Sequence, residues 1–522
     1  MATTTIEPID PPGSVATAPS LMSEPSVRRR VAERLVRPMP ADEVAGWLAP
    51  MAVFLVSLLM RLHRLAVPKA DAFDEVYYAC DAQSLLRHGI EVAHKARDQG
   101  FCIEDTAATE PGFVVHPPLG KWMIALGEKM WGFDSFGWRF SAAIFGALSV
   151  LLLCRIARRM FRSTLLGCIA GGILAFDGLH FVQSRMAMLD IFLLFFTVAA
   201  FGCIVVDRDV MRARLAATLD GNLSTPGPKL GLRWWRVAAG ACLGAAVATK
   251  WTGLYFVIVF GLLTFAWDVG ARRTAGIPWP FLSTIRREAL SLVSCVLLVG
   301  SLVYVASWAG WFAGDEGWRR APGTFGSNLA HQTHHGPVKG FAEYHREIWN
   351  FHQGLQTDHS YESKPESWFL LVRPVAYYYV TPEEGQSQAT LGVGTPAIWW
   401  AAIPAFVALA WAWVSKRDWR AAAILVTIGG TYLPWFLESD RTMFLFYALP
   451  LVPFMALALA YCAGMAIGRP EDSVRRRRIG AGFVGAYLAL VVANFLYLYP
   501  ILSSQVIPYS EWSERMLFKT WI

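Results

Sequence analysis

The sequence predicts an all-α protein that crosses a membrane many times. Three observations lead there. Of 522 residues, 55% are apolar and only 17% are charged, whereas a soluble globular domain carries about 25% charged residues. Mean hydropathy is +0.37, with 22 Trp and 32 Phe. The apolar residues also gather into runs of about 20, the length that crosses a bilayer core as a helix. Together these exclude a disordered chain, a collagen-like chain and an ordinary soluble multidomain enzyme.

Taken in order, residues 1–44 are polar, with Pro, Ser and a basic patch of Arg28, Arg29, Arg30, Arg34 and Arg37. They lack the apolar stretch and cleavage site of a signal peptide and read as a disordered basic cytoplasmic tail. Apolar runs then centre on 46–64, 137–154, 163–180, 188–206, 236–250, 251–268, 289–309, 396–414, 421–437, 442–464 and 479–499, giving about eleven spans. Residues 236–268 divide into two because Lys250-Trp251-Thr252-Gly253 reads as a turn. With the N-terminus cytoplasmic, more than half of the 47 Lys and Arg fall in short inner loops. That satisfies the positive-inside rule and puts the C-terminus outside the cytoplasm. The net charge of +7 is thus spread over membrane loops, and no nucleic-acid partner is expected.

Two outer segments are long, 66–136 and 310–395. They divide the chain into an N-terminal catalytic membrane region (45–309, with outer loop 66–136), an outer loop (310–395), and a C-terminal four-helix region with an outer tail (396–522). Function is expected on the outer loops. Six of the eight cysteines lie in apolar runs, where Cys acts as a small hydrophobe. Cys80 and Cys102 share the first outer loop, and the sequence leaves open whether they are bridged. No CxxC pair and no glycine-rich phosphate loop is present.

The sharpest local feature is Asp74-Glu75, flanked by Phe73, Tyr77 and Tyr78. A solvated acidic pair is the plain alternative, but apolar neighbours shield a carboxylate and make it a better base. His116-Pro117-Pro118-Leu119-Gly120-Lys121 follows, ahead of a helix over 122–131 that fits the membrane interface. Arg139, Arg185, Lys250 and Arg441 fall at membrane depth near the outer face, where charges mark function. Snorkelling is the alternative for Arg441, and an ion pair with Asp190 for Arg185. The second outer loop holds His331, His334, His335, His345, His352 and His359. Their spacing matches no zinc pattern; no cofactor is expected, with a divalent metal left open. Cations beside one carboxylate suit a single displacement. The carboxylate takes a hydroxyl proton, and a phosphate leaves as an anion without needing an acid.

In this order these motifs resemble the protein O-mannosyltransferases. They are Phe73-Asp74-Glu75 with Tyr77-Tyr78, His116 to Lys121, Asp177-Gly178 with Gln183-Ser184-Arg185 and Leu189-Asp190, and Lys250-Trp251-Thr252-Gly253. Phe351-His352, His359-Ser360-Tyr361, Arg373-Pro374 and Arg441-Thr442-Met443-Phe444 complete the set. The resemblance covers about 45–522 and is nearest the actinobacterial members. It implies the GT-C glycosyltransferase fold, a polyprenyl-phosphate-mannose donor, and Ser or Thr acceptors on proteins during or after translocation. It also implies inversion at the sugar. Asp74 would be the base and Glu75 would assist. Arg139 would sit near the donor phosphate, with Arg185, Lys250 and Arg441 in related roles. His116, Lys121, His352 and His359 would position loops or acceptor. The second outer loop is too short for the MIR domain of eukaryotic members, which favours a bacterial plasma membrane with the active site outside. Two other readings stay open: a related transferase acting on glycolipid or polysaccharide, and a transporter or lipid-binding scaffold.

Overall fold

The computed structural model describes residues 25–92, 112, 115–220, 223, 226–320, 336–438 and 440–522. The N-terminal half is helical throughout. Its elements are α1 (Pro25–Leu35), α2 (Ala45–Leu62), α3 (Glu75–His88), α4 (Leu119–Trp131), α5 (Ser135–Phe161), α6 (Thr164–Ala175), α7 (Gly178–Gln183), α8 (Asp190–Ala216), α9 (Trp234–Thr249) and α10 (Gly253–Thr274). Next come α11 (Pro280–Leu292) and α12 (Val299–Ser307), joined by a π-helical turn over Val293–Leu298, and a short α13 (Ala309–Ala313). The second outer segment contains α14 (Pro337–Gly354), α15 (Pro365–Trp368), β1 (Val375–Val380) and β2 (Gln386–Gly392). The chain ends with α16 (Pro396–Lys416), α17 (Trp419–Tyr432), α18 (Val452–Ile467), α19 (Val474–Leu502), β3 (Val506–Pro508) and α20 (Tyr509–Glu514).

Each of the eleven apolar runs forms a helix. Among the described residues nine helices are long and apolar enough to cross a membrane. The runs at 163–180 and 236–250 are shorter, at 12 residues in α6 and 16 in α9. Asp177 breaks the first by capping α7 through the His180 N–H. The expected turn at Lys250 ends the second. Segment Leu445–Ile467 runs through the centre, 89% buried, whereas Pro280–Ser307 is only 17% buried and shows lipid a continuous apolar face.

Two departures have physical causes. Residues 25–35 form a helix, not a disordered tail. Val27, Val31 and Leu35 recur at four-residue spacing and pack on Met211, Leu215 and Leu219, so the helix has an apolar face to bury. The other departure is a three-stranded antiparallel sheet in the order β1-β2-β3, which closes the outer segment with a strand from the chain's last thirty residues. Val375 pairs with Gly392 and Gln388 with Val506.

Two devices hold the bundle. At the far end from the outer segments, Asp207, Asp268 and Glu288 meet Arg233, Arg236 and Arg272, all at most 6% exposed at their side chains. Three negative and three positive charges cancel, which is what lets them be buried. Where α9 crosses the second half of the α11–α12 unit, glycines permit near-contact of backbones. A Cβ on Gly240 would lie 1.7 Å from the Cys295 carbonyl oxygen, and one on Gly244 would lie 2.3 Å from that of Gly300. Gly240 and Gly244 form the small-xxx-small spacing that brings membrane helices together. Gly244→Leu is therefore expected to cost about 1–3 kcal/mol through overpacking. Thermal unfolding in detergent checks this, and an unchanged midpoint would refute the close crossing.

Candidate active site

The loop from α2 to α3 is built around two arginines. Arg185 sits on the last turn of α2 and donates to the carbonyls of Arg61 (2.8 Å), His63 (2.6 Å) and Arg64 (3.0 Å). Those carbonyls have no partner within the helix, and a cation is favoured at that helix end. Arg139, in the first turns of α5, donates to the carbonyls of Pro68 and Ala70, each at 2.8 Å. It also forks onto both oxygens of Glu75, at 2.8 and 2.6 Å. Glu75 is fully buried and accepts the Ala72 and Ala187 N–H groups as well. The Arg185–Asp190 pair, the alternative reading of these two charges, does not form. Asp190 opens α8 and turns to Lys250, while Arg185 faces α2.

Asp74 is in a different position. It caps α3 with helical backbone angles, is half-buried and has no ion pair among the described residues. Phe73 before it adopts φ 54°, a left-handed conformation that costs a non-glycine residue about 1–2 kcal/mol. Burial pushes the Asp74 carboxyl up to about 6; Lys250 opposes the rise, Asp190 adds to it, and the Tyr78 hydroxyl is a hydrogen-bonding neighbour that lowers it. Lys250 is held by both oxygens of Asp190, each at 2.9 Å.

Next to this group lies a cavity of about 280 Å³. Its lining combines charged and polar side chains, among them His116, Asp190, Lys250, His352, Glu438 and Arg441, with apolar ones, among them Leu193, Leu254, Phe256, Trp435 and Leu451. Arg441 has no acidic partner among the described residues. It reaches His352 Nδ1 at 3.2 Å, and its Nε is buried without a partner, as is His116 Nδ1. Buried donors and acceptors left unpaired call for an explanation, and a bound ion is one. His352 donates from Nε2 to the Val115 carbonyl at 3.1 Å, so its Nδ1 is free to accept from Arg441. Burial, then the Arg441 charge, lowers His352 to about 4. Burial, then Lys250, keeps His116 well below the usual histidine range.

The other expected residues lie around this centre. Lys121 is 1% exposed and binds Asp81 (3.2 Å) and Glu91 (3.3 Å), pinning α4 to α3 and the strand-like end of the loop. His359 is exposed and meets the Phe444 ring edge-on, with centroids 5.0 Å apart. His345 anchors α14 by pairing with the Tyr304 hydroxyl at 2.6 Å. His331, His334 and His335 lie outside the described residues, as does Cys102; Cys80 is disulfide-bonded. Among the described residues no three His, Cys, Asp or Glu side chains group as a metal site. Sequence reasoning named Tyr78 beside the acidic pair but missed Tyr447 and the aromatic residues that line the cavity. The only signal for these was an abundance of aromatics, shared with the whole chain.

Comparison with known proteins agrees with this architecture. Residues 133–306 match the family model for dolichyl-phosphate-mannose-protein mannosyltransferase. Residues 337–521 match that for the C-terminal four-transmembrane region of protein O-mannosyltransferase. The chain is 39% identical over 500 residues to the polyprenol-phosphate-mannose–protein mannosyltransferase of Mycobacterium tuberculosis, covering 92% of this chain and 93% of that protein. The protein of the same name from Corynebacterium glutamicum is 33% identical over 491 residues, at 91% and 92% coverage. The fold matches a chain of the Saccharomyces cerevisiae protein O-mannosyltransferase Pmt1–Pmt2 complex bound to the sugar donor. The TM-score is 0.71 at 16% identity, covering 95% of this chain and 94% of that one. The chain belongs to the protein O-mannosyltransferase family and has its GT-C fold.

Proposed function

We propose that this protein transfers mannose from polyprenyl-phosphate mannose to Ser or Thr hydroxyls of proteins, at the extracytoplasmic face of the membrane. The observation that carries the reading is the division of the acidic pair. Glu75 is consumed by Arg139 and the loop, whereas Asp74 stands half-buried beside a cavity lined by both charged and apolar side chains. Asp74 takes the acceptor hydroxyl proton. The oxygen attacks the anomeric carbon, the bond from that carbon to the phosphate oxygen breaks, and the lipid phosphate leaves with the electron pair. Attack opposite the leaving group inverts the sugar. No acid is needed, because cations stabilise the departing phosphate.

Arg441 is assigned to the phosphate, since it is charged, faces the cavity and has no carboxylate ion-paired to it among the described residues. Lys250 supports it, and the apolar part of the lining suits the start of a polyprenyl tail. Glu75, Arg139 and Arg185 are assigned to holding the loop. Lys121 is assigned to holding α3 against α4, and His352 to aiming Arg441. The extracytoplasmic side follows from the distribution of cations between the two ends of the bundle.

Asp74→Asn is expected to abolish transfer from labelled polyprenyl-phosphate mannose to a Thr-rich peptide while membrane insertion stays normal. Label found only in lipid or glycan fractions would favour the glycolipid-acceptor reading, and full turnover would remove Asp74 as base. With the base raised to about 6, the ionised form dominates above that pH. The rate should fall about tenfold per unit below it, and neutral His116 and His352 should add no second limb there. Arg441→Ala is expected to lower kcat/KM for donor about 10- to 100-fold, the range for a lost charged hydrogen bond. Arg139→Ala should instead destabilise by about 3–5 kcal/mol by stranding Glu75. Donor titrations and thermal unfolding separate the two, and the reverse result would return the phosphate to Arg139.

A further inference from the structure

The left-handed backbone at Phe73 has to be held by something, and four rings do so. His359, Tyr377, Phe444 and Phe446 meet the Phe73 ring edge-on, with centroids at 6.0, 5.3, 5.8 and 5.9 Å. They come from three other parts of the chain: the stretch after α14, strand β1, and the segment following Arg441. Edge-to-face contact is the favoured geometry for such rings. Phe444 and Phe446 stack on each other at 5.4 Å and 6°. Phe446 lies 5.6 Å from the Lys250 ammonium. Tyr447, the next residue, lies 5.2 Å from Lys250 and 5.8 Å from Arg441. One set of rings therefore runs from the residue before Asp74 to both cavity cations. Among the described residues Asp74 itself has no ion pair to fix its carboxylate.

We propose that Phe73 is a positioning residue for the transfer: the rings that clasp it set the reach of the Asp74 carboxylate and tie it to the segment that bears Arg441. The inference rests on Asp74 as base. It goes beyond that reading by naming what aims the base and what links its position to the donor side. A misplacement of about 1 Å at a reacting group can cost about 100-fold in rate. Leucine at 73 keeps the apolar bulk but loses the ring edges, and tyrosine keeps both.

The test is steady-state transfer by the full-length protein in membranes, with polyprenyl-phosphate mannose and a Thr-rich peptide. Wild type, Phe73→Leu, Phe73→Tyr, His359→Ala and Asp74→Asn are compared. Phe73→Leu is expected to lower kcat about 10- to 100-fold, with donor KM within about twofold. Its pH–rate midpoint should move down as water reaches the carboxylate among Lys250, Asp190, Tyr78, Tyr377 and Tyr447. Phe73→Tyr should recover most of kcat, which a general loss of folding would not predict. His359→Ala, at the exposed side of the clasp, should lower kcat about 3- to 10-fold with the same downward shift, and carries the test if Phe73→Leu does not fold. Wild-type kcat in Phe73→Leu or in His359→Ala overturns the proposal, as does a loss that tyrosine does not recover. If Asp74→Asn is inactive while Phe73→Leu is fully active, only this inference fails. If Asp74→Asn turns over, the base reading fails and takes the inference with it.

Discussion

A carboxylate sealed from water must have its lone pairs filled by the protein, and Glu75 obtains this from Arg139 and two backbone amides. The arginine in turn has five N–H donors to satisfy, and the carbonyls of Leu65, Pro68 and Ala70 take the remainder. Neither residue can relax without stranding the other. That mutual need fixes the chain between α2 and α3 against α5 and the start of α8. Asp74 inherits its place from this arrangement without taking part in it, and its carboxylate keeps the Tyr78 hydroxyl as a hydrogen-bonding neighbour. On the proposed reading a base is held firmly through its backbone and kept out of ion pairs, and the adjacent acidic pair divides those two demands.

The cavity shows a similar economy of charge. Lys250 is matched by Asp190, so it contributes a local dipole more than a net charge. Arg441 is unmatched, and its position is set by a histidine that stays neutral. On the proposed reading, the charge the cavity lacks is a single negative one, and a phosphodiester supplies it. The apolar part of the lining would then receive the hydrocarbon that follows the phosphate. One small volume thus presents the two solvents that a lipid-linked sugar needs at once.

Much of this was legible in the sequence, and the limits were physical. The apolar runs located the helices because bilayer thickness imposes a length. The break at Lys250 was visible because the turn residues interrupt an otherwise continuous run. The dipeptide Asp74-Glu75 stood out as the candidate site, but the different surroundings of its two carboxylates were not readable. They depend on which carboxylate meets Arg139, and that is decided by how the loop folds over α5. The same limit applied to the arginines: a cation at membrane depth can serve a ligand or a helix end, and only the carbonyls around Arg185 and Arg139 distinguish these. The strands were missed because Val375–Val380 is short and lies among helices, although its β-branched and aromatic residues were a usable signal. The helix at 25–35 was hidden by its arginines, which outnumber the three apolar residues on its buried face.

The neutral cluster at the other end of the bundle has a consequence in time. On the topology expected from the sequence, Arg233, Arg236 and Arg272 count among the cations that orient the helices, and acidic residues weigh little in that choice. While the chain is being inserted, the three arginines would act as unpaired charges that retain their loops on one side. Once α8, α9, α10 and α11 assemble, the same side chains meet Asp207, Asp268 and Glu288 and are neutralised. Orientation and packing are thus served in succession by one set of residues. Replacing one of the acids would leave the signal for orientation intact and remove the means of burying it, so a chain so altered would be threaded correctly and then fail to close.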